Sequence, residues 1–104
     1  MVGIPTEDRK WKLRINGQFS GVLVLDSVDQ PWFICSFIPE PNFERYAETF
    51  YQEDALLQAG REDEWEDAFD RMSEWDVALV GDDGSEIKDL LLHISISNEA
   101  RFRY

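Results

Sequence analysis

The chain has one histidine and one cysteine. Any acid–base scheme that uses imidazole must use His93, and any thiol chemistry must use Cys35. Cys35 stands in the most apolar run, Trp32-Phe33-Ile34-Cys35-Ser36-Phe37-Ile38, where a thiolate is costly and a small hydrophobe is natural. A lone strand histidine without a nucleophile and a third orienting group is read as structural, so no catalytic residue is assigned. His93 and Cys35 lie too far apart for a zinc spacing. Gly81-Asp82-Asp83-Gly84 has the wrong spacing for a phosphate loop, and its acids repel phosphate. Asp82-Asp83-Gly84-Ser85-Glu86 lacks the ligand order of a calcium loop. No metal or cofactor is expected, and the Gly-Asp-Asp-Gly segment reads as a tight turn.

Charge carries more information. The 104 residues hold 22 acids and 10 bases, a net charge of −12. Residues 40–76 alone hold thirteen acids against three bases. That balance excludes a general nucleic-acid binder, whose affinity rests on Lys and Arg against phosphate, and a protein that docks on anionic membranes. On a helix over residues 62–75 the outward positions are Glu62, Asp63, Glu66, Asp67, Asp70 and Glu74. Such a face either solvates the helix or docks a basic partner. The strands show the opposite sign. Lys12 and Arg14 share one face of the first strand, and Arg101 and Arg103 one face of the last. His93 and Ser95 alternate away from Leu92 and Ile94. If helices cover the apolar face, these six lie on an open face, where guanidinium, imidazole and hydroxyl groups suit an anionic ligand.

The elements that must position these groups follow from period and punctuation. Trp11, Leu13 and Ile15 alternate with Lys12 and Arg14, a half-buried strand. Asn16-Gly17 is a two-residue hairpin turn. A return strand over residues 18–25, a turn over 26–31 and a doubly apolar strand over 32–38 follow. Asn42 is placed as N-cap of a helix over 43–59, with Gly60 after its end. Its stripe Phe43, Tyr46, Ala47, Phe50 and Leu57 is interrupted at Asp54. The second helix, 62–75, carries Trp65, Ala68, Phe69, Met72 and Trp75 on one face, so Trp65, Phe69 and Met72 are expected at the centre of the helix–sheet interface. Val77–Val80, Leu90–Ser97 and Ala100–Tyr104 complete the order βββααβββ. Short turns pair strands antiparallel, and two striped helices need a sheet face. The fold expected is therefore α+β: a two-layer sandwich of a mainly antiparallel sheet with two helices on one face. Residues 1–10 form a loose lead-in and residues 11–104 a single domain.

Taken together, Asp29-Gln30-Pro31-Trp32, Phe37-Ile38-Pro39, the acidic helix pair, Gly84, Leu91-Leu92-His93-Ile94 and Glu99-Ala100-Arg101-Phe102-Arg103-Tyr104 resemble a group of small acidic bacterial proteins without assigned function. The resemblance spans nearly the whole chain and contains no catalytic motif. It implies a single-domain bacterial cytoplasmic protein.

A cytoplasmic location is also what the residues suggest. One cysteine forms no intramolecular disulfide, the first residues lack a signal-peptide pattern, and the longest apolar run is too short to span a membrane. The expected function is a non-enzymatic interaction protein: an inhibitor, immunity-like factor or adaptor that sets its acidic helices against a basic partner. The alternative is a small anionic-ligand binder or enzyme working on the face around His93, Arg101 and Arg103. Homodimer and monomer stand equal, with any dimer expected through the sheet because a terminal strand at a sheet edge invites pairing.

Overall fold

The computed structural model describes residues 9–104. The expected lead-in lies outside the described residues up to residue 8, and Lys10 already belongs to the first strand. The strands are β1 (Lys10–Ile15), β2 (Gln18–Asp29), β3 (Trp32–Pro39), β4 (Val77–Gly81), β5 (Glu86–Ile87), β6 (Leu91–Ile94) and β7 (Glu99–Arg103). A 3-10 turn, Pro41–Phe43, leads into α1 (Glu44–Gln58), and α2 (Glu62–Met72) follows. The fold is α+β: one seven-stranded antiparallel sheet, ordered β5-β4-β1-β2-β3-β7-β6 and curved into a half-barrel, with the helix pair packed on its core.

The β1–β2 turn forms as its residues dictate. Asn16 (φ 53°) and Gly17 (φ 80°) both take the left-handed conformation that a tight hairpin needs. Asn16 is also held from outside: its amide donates to the Tyr46 hydroxyl (3.3 Å), and its side-chain oxygen accepts from the Asp76 N–H (3.0 Å). β2 runs four residues past the expected Leu25, because a bulge between Leu25 and Ser27 absorbs Asp26 and lets Ser27–Asp29 keep pairing with β3.

Asn42 does not cap α1. Its amide donates to the Ser20 hydroxyl (3.1 Å), and the 3-10 turn feeds the helix directly. At the other end Gly60 (φ 71°) closes α1 as expected, with its N–H bonded to Leu57 and the Arg61 N–H to Leu56. α2 ends at Met72, short of Trp75.

In an antiparallel sheet directly opposed residues share a face. Trp11, Leu13, Leu23, Phe37, Cys35, Ala100, Phe102, Leu92 and Ile94 therefore form one inward wall, and all are buried. Against it Phe43 packs edge-on to Phe37 (4.8 Å between ring centroids) and beside Phe50 (5.6 Å). Phe43 of the 3-10 turn and Phe50 of α1 hold the centre that Trp65 and Phe69 were expected to hold. α2 packs on α1 instead, burying Ala68 and Met72 and leaving Phe69 half-buried beside Trp65.

Two strand expectations change. β6 stops at Ile94, because Ser95–Asn98 turns the chain with Asn98 at φ 65°, and Ile96 is 80% exposed. β7 is not an edge: it lies between β3 and β6, so the edge-pairing route to a dimer through Phe102–Tyr104 is absent.

Gly21 faces Leu13 across the sheet, with the Phe37 ring directly over it. A Cβ there would stand 2.6 Å from Phe37 Cζ and 2.9 Å from the Ile38 carbonyl oxygen. Gly21→Ala is expected to destabilise the fold by about 1–3 kcal/mol, and Phe50→Ala by about 3–5 kcal/mol. Phe69→Ala should cost clearly less than Phe50→Ala because its ring is only half buried. Denaturant midpoints of the three variants check that order.

Candidate functional site

α1 carries an inward stripe of Tyr46, Phe50, then Glu53 and Asp54. The apolar half fills the core. The acidic half meets β6 and β7 on the side opposite Leu92 and Phe102. There His93 and Arg101 are direct cross-strand neighbours and share a face. Glu53 is 0% exposed. Its oxygens lie 3.0 and 2.9 Å from His93 Nδ1, and Oε2 also accepts from Trp65 Nε1 at 2.6 Å. Asp54 Oδ1 accepts from Arg101 Nη2 at 2.6 Å. Trp32 lies over His93 (5.5 Å between centroids), and the Arg103 guanidinium sits 5.4 Å above the other part of the cluster, the Trp32 ring.

Each contact satisfies a demand set by burial. A carboxylate out of water needs donors on its lone pairs, and Glu53 receives an imidazole N–H and an indole N–H. Among the described residues no buried side-chain nitrogen or oxygen lacks a partner. Two consecutive helix acids thus match two opposed strand bases, and the match clamps α1 and α2 to β6–β7.

The six groups expected on one open sheet face do not form one site. His93 is buried and bound to Glu53. Arg101 is largely covered by Asp54. Arg103 is exposed against Trp32. Ser95 is half-buried in the β6–β7 turn, where its hydroxyl meets that of Ser97 at 2.7 Å. Lys12 and Arg14 are exposed on β1, three strand spacings from β7, which is roughly 14 Å. Arg14 pairs with Glu86 there at 3.6 Å. The reason is topological: β2 and β3 separate the two basic strands, and α1 covers the β6–β7 side that alternation alone leaves open.

An imidazole that binds a carboxylate through Nδ1 has the orientation of a general base. A 380 Å³ depression between α2, β4 and β6 is lined by Phe50, Phe69, Met72, Trp75 and Leu90 among others. A 300 Å³ depression at the helix hairpin is lined by Leu56, Leu57, Arg61 and Trp65 among others. Neither has Glu53 or His93 in its wall. Among the described residues no group of three or more metal-ligating side chains converges. Cys35 is buried, and its thiol is pushed up to about 12 by burial first and by Asp26 second, with Arg9 opposing.

α2 ends at Met72, so of the six acids expected on its outer face Glu74 lies beyond the helix. Glu62, Asp63, Glu66, Asp67, Asp70 and Glu74 are all exposed. Among the described residues none of them enters an ion pair.

Removing one partner of a buried pair strands the other, so Glu53→Ala should cost about 3–5 kcal/mol. Asp63→Ala, on the exposed face, should cost within about 0.5 kcal/mol. Urea unfolding of both variants checks the contrast. Cys35 should resist thiol reagents at about pH 8 in the native protein and react on unfolding. A thiol raised from 9.0 to about 12 on folding stabilises the native state fully below pH 9, and that contribution is lost as the pH climbs towards 12. Unfolding midpoints should therefore fall across that window in the parent and fall less in Cys35→Ala.

Set against family models, curated proteins and solved structures, the chain matches none, and its site is read from its own geometry.

Proposed function

We propose that the protein is a non-enzymatic interaction protein, an inhibitor, immunity-like factor or adaptor, that presents the outer face of α2 to a basic partner. One observation carries this reading: the fold treats its acids in two ways. Glu53 and Asp54 turn inward and are matched by His93, Trp65 and Arg101. Glu62, Asp63, Glu66, Asp67, Asp70 and Glu74 turn outward and pair with nothing among the described residues. α2 is also held in place, through Met72 in the core and through the Trp65–Glu53 bond. A rigid, single-sign face steers encounter with an oppositely charged surface and loses little conformational entropy on docking. The setting proposed is a bacterial cytoplasm, which fits the single free cysteine and the resemblance carried by the sequence.

The test compares the native protein with a neutralised variant, Glu66→Gln, Asp67→Asn, Asp70→Asn and Glu74→Gln together. Both are immobilised and exposed to extract of the source cell. A basic protein retained by the native chain should be absent from the variant. It should also elute as salt rises from about 0.1 M to about 1 M, where the screening length falls from about 10 to about 3 Å. Equal retention by both proteins, or retention that salt leaves unchanged, would exclude α2 as the docking face.

A further inference from the structure

The apolar stripe of α2 is wider than the core it meets. Ala68 and Met72 are buried, but Phe69, which the helical period sets beside them, keeps a half-exposed ring. That ring lines the 380 Å³ depression between α2, β4 and β6. Trp75 and Leu90, also half-buried, line it too, and the buried core residues Phe50, Met72 and Leu92 complete its apolar wall. An uncovered apolar hollow that reaches the core suits a side chain from outside. Three charged groups share the wall: Asp76, Lys88 and Asp89. Lys88 is matched by Asp76 at 4.0 Å, whereas Asp89 enters no ion pair among the described residues. Asp70 and Glu74, exposed and equally unpaired, adjoin Phe69, Ser73 and Trp75 in the chain. The nearby arginines are engaged elsewhere. Arg71 donates to Gln52 on α1 at 2.9 Å, and Arg103, across from Leu91, stands over Trp32.

We propose that this depression is the anchor pocket beside the acidic face: it takes one large apolar side chain from a partner segment whose flanking residues are Lys or Arg. The proposal rests on the reading of α2 as a docking face and names what the partner carries there. Charge decides the occupant. An acidic or neutral segment leaves Asp70, Glu74 and Asp89 unanswered, whereas a basic one meets them while its apolar residue packs against Phe69, Trp75 and Leu90. The two parts do different work. Exposed acids steer the encounter and are screened by salt, but they distinguish one basic surface poorly from another. A shaped apolar hollow supplies the buried anchor that holds the complex and rejects basic segments lacking it.

Isothermal titration of the full chain with three synthetic peptides tests the proposal: Lys-Arg-Lys-Phe-Lys-Arg-Lys, the same peptide with Gly in place of Phe, and Glu-Asp-Glu-Phe-Glu-Asp-Glu. The basic Phe peptide should bind about tenfold tighter than the Gly peptide, and the acidic peptide should show no binding up to about 1 mM. Ser73→Gln, which adds bulk at an exposed position of the wall, and Phe69→Ala, which removes part of the wall, should each cost the Phe peptide about tenfold and leave the Gly peptide within about threefold. Near-UV circular dichroism confirms that both variants are folded. The Glu66→Gln, Asp67→Asn, Asp70→Asn and Glu74→Gln variant should weaken both basic peptides together and keep their ratio. Equal binding of the Phe and Gly peptides to the native chain would overturn the pocket, and loss of both on neutralisation would leave the α2 reading standing. Binding of both that neutralisation leaves unchanged would overturn the α2 reading and the pocket with it. A Phe preference that Ser73→Gln and Phe69→Ala leave intact would overturn this site for the anchor, and an acidic peptide that binds as tightly as the basic one would overturn the partner's charge. No binding of either basic peptide up to about 1 mM would overturn both readings.

Discussion

A carboxylate removed completely from water must be satisfied on every side or it unfolds the element that carries it. Glu53 imposes that condition here, and much of the structure answers it. His93 has to arrive on the outer side of β6, which requires β6 to pair with β7 in the register that puts Leu92 and Ile94 into the core. Trp65 has to arrive from α2, which sets the approach of the helix hairpin closed by Gly60. Asp54 repeats the condition one residue on, with Arg101. The pairing fixes orientation as much as it contributes stability. A hydrophobic stripe alone lets α1 rotate or slide, whereas two acids against two opposed bases allow one seating.

The elements with strong local signals were legible in the sequence. Asn16-Gly17 announced its hairpin through conformations that few other residue pairs adopt, and Gly60 announced the end of α1 in the same way. The alternation of β1 and of Leu92 and Ile94 gave the inward face correctly. The buried acids were not legible as a site. Asp54 read as a flaw in an amphipathic stripe, and Glu53 beside it gave no signal of its own, because a sequence shows period but not what waits across a gap of 40 residues. The signal that existed was the flaw itself: two consecutive acids on the inward side of an otherwise aromatic stripe demand basic partners elsewhere. His93 and Arg101 read as solvated because alternation assigns a strand's second face to water unless something covers it. The covering element was the very helix whose acids they bind. β5 escaped because two residues carry no period.

The same clamp clarifies how an acidic chain divides its charge. Nearly all of the net −12 comes from the segment that becomes the helix pair. Two of those acids are consumed internally, and the clamp they form is what holds α2 still. A face of like charges on a loosely attached helix would repel itself into disorder. On a helix tied to the core by Trp65 and Met72, the repulsion is borne by the whole fold.

The sequence distance between Glu53 and its partner has a meaning in time. His93 follows Glu53 by 40 residues, and Arg101 follows Asp54 by 47. At a synthesis rate of roughly 5–20 residues per second, α1 leaves the peptidyl-transferase centre several seconds before the strands that complete it. Until β6 and β7 are made, Glu53 and Asp54 have neither His93 nor Arg101 to pair with. The seating of α1 in the finished molecule therefore rests on strands that the chain supplies last.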